Sequence, residues 1–158
     1  MSDTRATTEI VRYRERLRVP WWWWPPGLGA AALIAVVVNQ GIKTLPNWLP
    51  FAVLIPVGAI VLLWLGRTEL QVTGRDGEVE VWIGGAHLPV SVIERWAAVP
   101  RSAKSAALGR QLDPAAYVVH RPWVGPLVLL VLNDPEDPTP YWLISANNPD
   151  KVLAALVA

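Results

Sequence analysis

The sequence predicts a membrane protein of mixed α and β class: a two-helix transmembrane hairpin joined to a bent antiparallel β-sheet, or partial barrel, capped by a C-terminal helix. Three observations predict it. Between Val19 and Gly66 the only formally charged side chain is Lys43, while the other thirteen basic and all thirteen acidic residues lie outside that window. Soluble domains scatter their charges, so a gap this long marks a separate phase of the molecule. Inside the gap lie two apolar runs split by a short polar break, and after it short β-type runs recur between turn signals. The chain has no cysteine, which excludes disulfides, thiolate catalysis and cysteine-ligated metal.

Residues 1–20 form a basic N-terminal segment. Within it, "VRYRERLRV" (11–19) can be laid on either period. Helical spacing collects only Ile10, Tyr13 and Leu17. Strict alternation puts Val11, Tyr13, Leu17 and Val19 on one face, interrupted by Glu15, and Arg12, Arg14, Arg16 and Arg18 on the other. Four arginines in phase favour an edge strand over 11–19, with a row of guanidinium groups open to anionic lipid or a partner. The plainer alternative is a solvated basic tail that serves only to orient the spans.

The hairpin occupies 21–66, with spans at about 21–40 and 48–66. Nineteen residues at ~1.5 Å each give about 28 Å of helix, close to the ~30 Å hydrocarbon thickness of a bilayer. Gly41 and Pro46 break the chain in "NQGIKTLPN", and Pro56 falls inside the second span, where membrane helices tolerate it. Trp21, Trp22, Trp23 and Trp24 enter the first span, Trp48 lies at the turn and Trp64 leaves the second. Indoles at both ends are the pattern of interfacial aromatic belts. A buried soluble helix pair would leave four adjacent indoles pointing in every direction, and a ligand-stacking platform would need polar groups beside them. A cleaved signal peptide conflicts with the second span that follows at once. Arg5, Arg12, Arg14, Arg16 and Arg18 precede the first span, Arg67 and Arg75 follow the second, and the turn offers Lys43 alone. Both termini are therefore expected on the cytoplasmic side.

From 67 to 158 the chain reads as a cytosolic β domain. "TELQVT" (68–73) and "EVEVWI" (78–83) flank a hairpin turn at Asp76-Gly77. "HLPVSVI" (87–93), "ERWAAV" (94–99), "AAYVVH" (115–120), "PLVLLVLN" (126–133) and "YWLISA" (141–146) complete seven runs. Asn148, Pro149 and Asp150 open a helix over 149–157, with Val152, Leu153, Leu156 and Val157 on its apolar face. About seven strands followed by one amphipathic helix resemble the pleckstrin-homology-like superfold, whose bacterial versions are commonly attached to membrane spans.

The stretches "YRERLRVPWWWW", "LPVSVIERW" and "LDPAAYVVHRPWVGPLVLLVLNDPEDPTPYWLIS", with the closing proline and helix, also resemble an uncharacterised bacterial family, domain of unknown function 3093. The resemblance implies two membrane spans and a compact cytosolic β domain, and it implies no activity. Where that family tends to carry a basic residue after "PYWLIS", this chain has Ala146 and Asn147.

The residues offer little chemistry. His87 and His120 have no partner at metal-ligand spacing, the serines lack a nucleophile elbow, and no phosphate-cradling glycine loop occurs. No catalytic, cofactor-binding or metal residue is assigned, and no cofactor is expected. Asp134 and Asp137 in "DPEDP" read as Asx-turn formers. Arg101, Lys104 and Arg110 punctuate "RSAKSAALGR", read as a mobile loop able to meet phosphate or an acidic partner. Trp123, Tyr141 and Trp142 lie among prolines and read either as core and rim packing or as a protein-docking surface. Residues 67–158 carry eight basic and ten acidic side chains, which disfavours nucleic acid. The expected function is therefore non-enzymatic: an integral protein of the bacterial cytoplasmic membrane presenting its β domain at the inner leaflet as an adaptor or scaffold. An accessory subunit of a cell-envelope enzyme or transport complex is the second reading, and a membrane-tethered enzyme the third. The expected partners are the bilayer and a membrane or cytosolic protein, and a homo-oligomer is compatible with the same features.

Overall fold

The computed structural model describes residues 8–158, so Arg5 lies outside the described residues. The chain runs β1 (Ile10–Arg16), α1 (Trp24–Gly41), α2 (Leu49–Leu65), β2 (Glu69–Arg75), β3 (Glu78–Ile83), β4 (Ala86–Pro89) and β5 (Ile93–Val99). It continues through α3 (Lys104–Leu108), β6 (Tyr117–Val119), β7 (Leu127–Leu132), β8 (Tyr141–Ser145) and α4 (Pro149–Val157). The class is α+β. Two compact units emerge: Arg18–Thr68, and the chain up to Leu17 taken together with Glu69–Ala158.

The β unit holds two four-stranded sheets, ordered β1-β2-β3-β4 and β5-β7-β8-β6. In β7, Val128, Leu130 and Leu132 alternate toward the core, and Trp142 and Ile144 do so in β8. Leu70 and Val72 of β2, Val81 and Ile83 of β3 and Leu17 after β1 meet them from the other sheet, and Val152, Ala155 and Leu156 bring α4 onto the same core. Seventeen fully or nearly buried residues form this one cluster. The β2–β3 turn needs left-handed backbone at two successive residues, and Asp76 (φ 50°) and Gly77 (φ 88°) supply it.

Several elements differ from the sequence reading. The run 87–93 is not one strand: β4 stops at Pro89, a 3₁₀ turn takes Val90–Val92, and β5 starts at Ile93. The proline has no amide hydrogen to extend the ladder. The sheet is not wholly antiparallel, because β6 runs parallel to β8. Eight strands occur among the described residues, the extra one being β1, which ends at Arg16 rather than Val19 and lies at the edge of its sheet. The stretch 101–108 is a 3₁₀ turn followed by α3 rather than an open loop, as its alanines favour. Asn148 does occupy the N-cap of α4, yet its side chain makes no capping bond.

In the helical unit, a 3₁₀ turn over Trp21–Trp23 leads into α1, with proline at its first positions. Trp21–Gly41 is long and apolar enough to cross a membrane; α2, at 17 residues, is shorter and equally free of charge. Pro56 is accommodated inside α2.

Candidate functional site

Small residues set the packing of α1 against α2. Ala31 and Ala35 are buried, and a Cβ placed on Gly58 would lie 3.0 Å from the Cβ of Ala31. A Cβ on Gly27 would lie 2.9 Å from Leu62, so the backbones approach closely only because these side chains are missing. Gly27, Ala31 and Ala35 recur every fourth residue, the small-residue spacing of closely packed helices in lipid. The outer faces are the reverse: Leu33, Ile34, Val37, Val53, Ile60 and Leu63 are all exposed. Trp21, Trp48 and Trp64 are 77%, 66% and 68% exposed, with Trp22 also outward and Trp23 and Trp24 half-buried. Asn39 donates its amide to the carbonyl of Asn47 at 2.9 Å, tying the polar break to the end of α1.

The row of arginines is not a uniform open face. A β-bulge between Val11 and Tyr13 makes Arg12 the extra residue and shifts the phase of the strand. Arg12 passes over Gly74, where a Cβ would stand 2.9 Å from its Nε, and donates to the backbone oxygens of Ala155 and Ala158 at the end of α4. A cation at the negative end of a helix dipole is well placed there. Arg14 and Arg16 stay in phase and both donate to Glu69 on β2, Arg16 at 3.4 Å. The Arg14 guanidinium holds the Glu69 carboxyl down, at about 2. Arg18 belongs to the helical unit. Glu15, the residue that interrupts the alternation, faces the other way: it accepts the amide of Asn147 at 2.9 Å and the hydroxyl of Tyr13 at 2.9 Å. Burial and the Glu15 carboxylate push the Tyr13 phenol up to about 12.

The three basic residues of 101–110 also separate. Lys104 turns inward and donates to the carbonyls of Val124 and Arg121, so it fastens α3 to the turn after β6. Burial and neighbouring Arg101 lower its pKa. Arg101 packs its stem on Gly125, while Arg110 is exposed. His120 is half-buried with its Nε2 lacking a hydrogen-bond partner; burial, then Lys104 and Arg121, push its pKa down. His87 instead stacks on Trp82, ring centroids 4.6 Å apart.

Trp123, Tyr141 and Trp142 do not form one surface. Trp142 is in the core, and Trp123 packs against that core while its indole donates to the carbonyl of Leu17 at 3.2 Å. Tyr141, next to Trp142 on β8, points to the opposite face, where its hydroxyl accepts the amide of Asp113 at 2.8 Å. Asp134 and Asp137 accept amides two residues on, from Glu136 and Thr139, as Asx turns require.

Sequence reasoning missed the partners rather than the residues. Glu69 on the neighbouring strand and the fourfold small-residue spacing in α1 were both legible signals. The seating of Arg12 was not, because a bulge leaves no local mark.

An α+β fold in which an apolar helix pair separates one edge strand from the rest of its sheet defines the class of protein. The family model described as "Protein of unknown function (DUF3093)" matches residues 12–156, and the chain belongs to that family. No curated protein and no solved structure matches the chain.

Proposed function

We propose that the protein is a non-enzymatic integral membrane protein of the bacterial cytoplasmic membrane. Its helix pair crosses the bilayer as a hairpin, and its β unit is a pleckstrin-homology-like domain presented at the inner leaflet for protein or lipid-surface contact. The observation that carries this reading is the inverted packing of the helix pair. Small residues lie inside, and large aliphatic side chains face outward on both helices. Contiguous exposed apolar surface of that extent calls for an apolar solvent. At ~1.5 Å per residue, α2 spans about 26 Å, the short end of the range for a bilayer core.

The β unit adds a geometric argument. Arg16 and Glu69 are paired neighbours on adjacent antiparallel strands, so the chain leaves and re-enters the sheet about 5 Å apart. An insert tethered at both ends to such neighbours starts and finishes on one side of a membrane. The charge pattern at 12–18 and 67–75 makes that side cytoplasmic. Two sheets around one core with a closing helix support the pleckstrin-homology-like reading. Arg14 and Arg16 share one carboxylate and leave net positive charge on that edge for an anionic leaflet or an acidic partner, and Arg18, Arg101 and Arg110 are the further basic side chains proposed for contacts of this kind.

Topology reporters test the reading. Fusions before Met1 and after Ala158 are expected to report cytoplasm, and an insertion near Thr44 to report the exterior. An exterior C-terminus overturns it. Affinity capture from polymer nanodiscs then separates roles: transient soluble partners support an adaptor, whereas one stoichiometric membrane partner favours an accessory subunit.

A further inference from the structure

Helix α3 lies on the second sheet with little to hold it there. Because Val128, Leu130 and Leu132 of β7 point to the core, Leu129 and Val131 point the other way, and Leu143 on β8 joins them. Ala103 and Ala107, in the segment that carries α3, roof these side chains, and Leu143 is almost fully buried. Alanine methyls do not fill the space, and an open apolar groove remains between roof and sheet. No residue of α3, or of the 3₁₀ turn before it, is fully buried. A helix of five residues has no stability of its own, so its place depends on the polar ties at its start.

Those ties lead to His120. Lys104 of α3 donates to the carbonyls of Arg121, at 3.4 Å, and of Val124, and Arg101 lays its stem on Gly125. These partners all lie in the turn 121–125, which follows His120 at the end of β6. The His120 Nε2 is buried and has no hydrogen-bond partner among the described residues. The charged groups acting on the imidazole are both cations, Lys104 from α3 and Arg121 from the turn. Strand β8, paired with β6, contributes Ser145, which is uncharged and whose Oγ accepts the Arg121 amide at 2.9 Å. A proton on Nε2 would meet no acceptor and two like charges, one of them the ammonium that fastens α3. Burial first, and then the two cations, hold the His120 pKa below its ordinary 6.5. Stability that needs the neutral ring is complete above 6.5 and is lost as pH falls below it, because the opened form takes up the proton first.

We infer that α3 is an acid-released flap: protonation of His120 expels Lys104 from the turn 121–125, and the segment 101–108 lifts from the second sheet, baring Leu129, Val131 and Leu143. One proton drives the release, so the opening equilibrium changes by at most about tenfold per pH unit. The inference concerns the β unit alone and does not depend on the helix pair crossing a membrane.

The test is amide hydrogen exchange, read by mass spectrometry on the full chain in nanodiscs at about pH 7.5 and about pH 5.5. Protection factors remove the intrinsic pH dependence of exchange. Protection over 101–112 is expected to fall severalfold on acidification, with about tenfold as the ceiling, while that over 69–83 holds. His120→Gln is expected to abolish the fall, and His87→Gln to leave it as in the wild type. Lys104→Met is expected to lose protection of 101–112 at both pH values. A wild type without the fall overturns the proposal, as does a fall that His120→Gln leaves at full strength. So does a Lys104→Met variant as protected as the wild type at about pH 7.5. Should His120→Gln fail to fold, the wild type decides. Exchange at the imidazole C2 positions of its two histidines gives the His120 midpoint directly, and a midpoint at or above 6.5 overturns the proposal too.

Discussion

Glu69 sets the charge of the basic edge. Two guanidinium groups share its carboxylate, Arg14 the more closely, and its pKa falls from the ordinary 4.5 to about 2. A depressed carboxyl contributes stability that is present above 4.5 and lost as pH falls toward 2. The pair is solvent-accessible, so screening keeps the contribution small. Glu69→Gln is therefore expected to flatten the acid limb of a denaturation profile between those values without changing stability much below about pH 2. An unchanged acid limb would mean the pair is not formed in solution. Arg12 makes a different prediction, because it holds the end of α4 rather than a carboxylate. Arg12→Gln is expected to lower stability by about 1 kcal/mol, the scale of a charge at a helix terminus. Arg16→Gln is expected to cost less, since Arg14 keeps Glu69 paired. Equal effects from the two substitutions, measured by urea denaturation, would contradict the bulge that separates them.

The elements divide by what they pack against. Helix α1 meets α2 through Gly27, Ala31 and Gly58, so the pair depends on missing side chains. Since the chain has no cysteine, a designed pair gives a clean test. Ala31→Cys with Gly58→Cys brings two sulfurs within disulfide reach and is expected to cross-link readily on mild oxidation. Adding Gly27→Leu, which collides with Leu62, is expected to reduce that cross-linking. No disulfide in the parent pair would refute the observed helix register. Helix α4 depends instead on large side chains, with Val152, Ala155 and Leu156 in the core of the β unit. Deleting 148–158 uncovers both sheets and is expected to cause aggregation during expression.

At the scale of the molecule, the β unit is assembled from two stretches of chain far apart in sequence. Residues 69–158 without the N-terminal segment lose an edge strand, the fully buried Leu17, the bonds that Arg12 donates to the end of α4, and the one that Glu15 accepts from the residue before its cap. That fragment is expected to be poorly soluble. Joining residues 8–17 to 69–158 through a short glycine-serine linker bypasses the helix pair, because Arg16 and Glu69 are already opposite each other. The fusion is expected to be monomeric by gel filtration and mainly β by circular dichroism. A soluble, cooperatively folded 69–158 fragment would show that β1 is dispensable.

The charge-free window, the seven later β-type runs, the Asp76-Gly77 turn and the closing helix could all be read from the sequence, since each rests on residues within about one turn or strand of each other. Alternation likewise marked an extended segment around Tyr13, and the strand there covers Ile10–Arg16. Contacts far apart in the chain decided the rest. The bulge at Arg12 depends on Gly74 and on the end of α4, which lie 62 and more than 140 residues away. The same holds for the pairing of Arg14 with Glu69, 55 residues apart, and for the inward turn of Lys104 onto carbonyls up to 20 residues on. The parallel seat of β6 beside β8 and the alanine roof over Leu143 left no periodic trace at all. Periodicity tells which side of an element is apolar, but only the packed chain decides what that side meets.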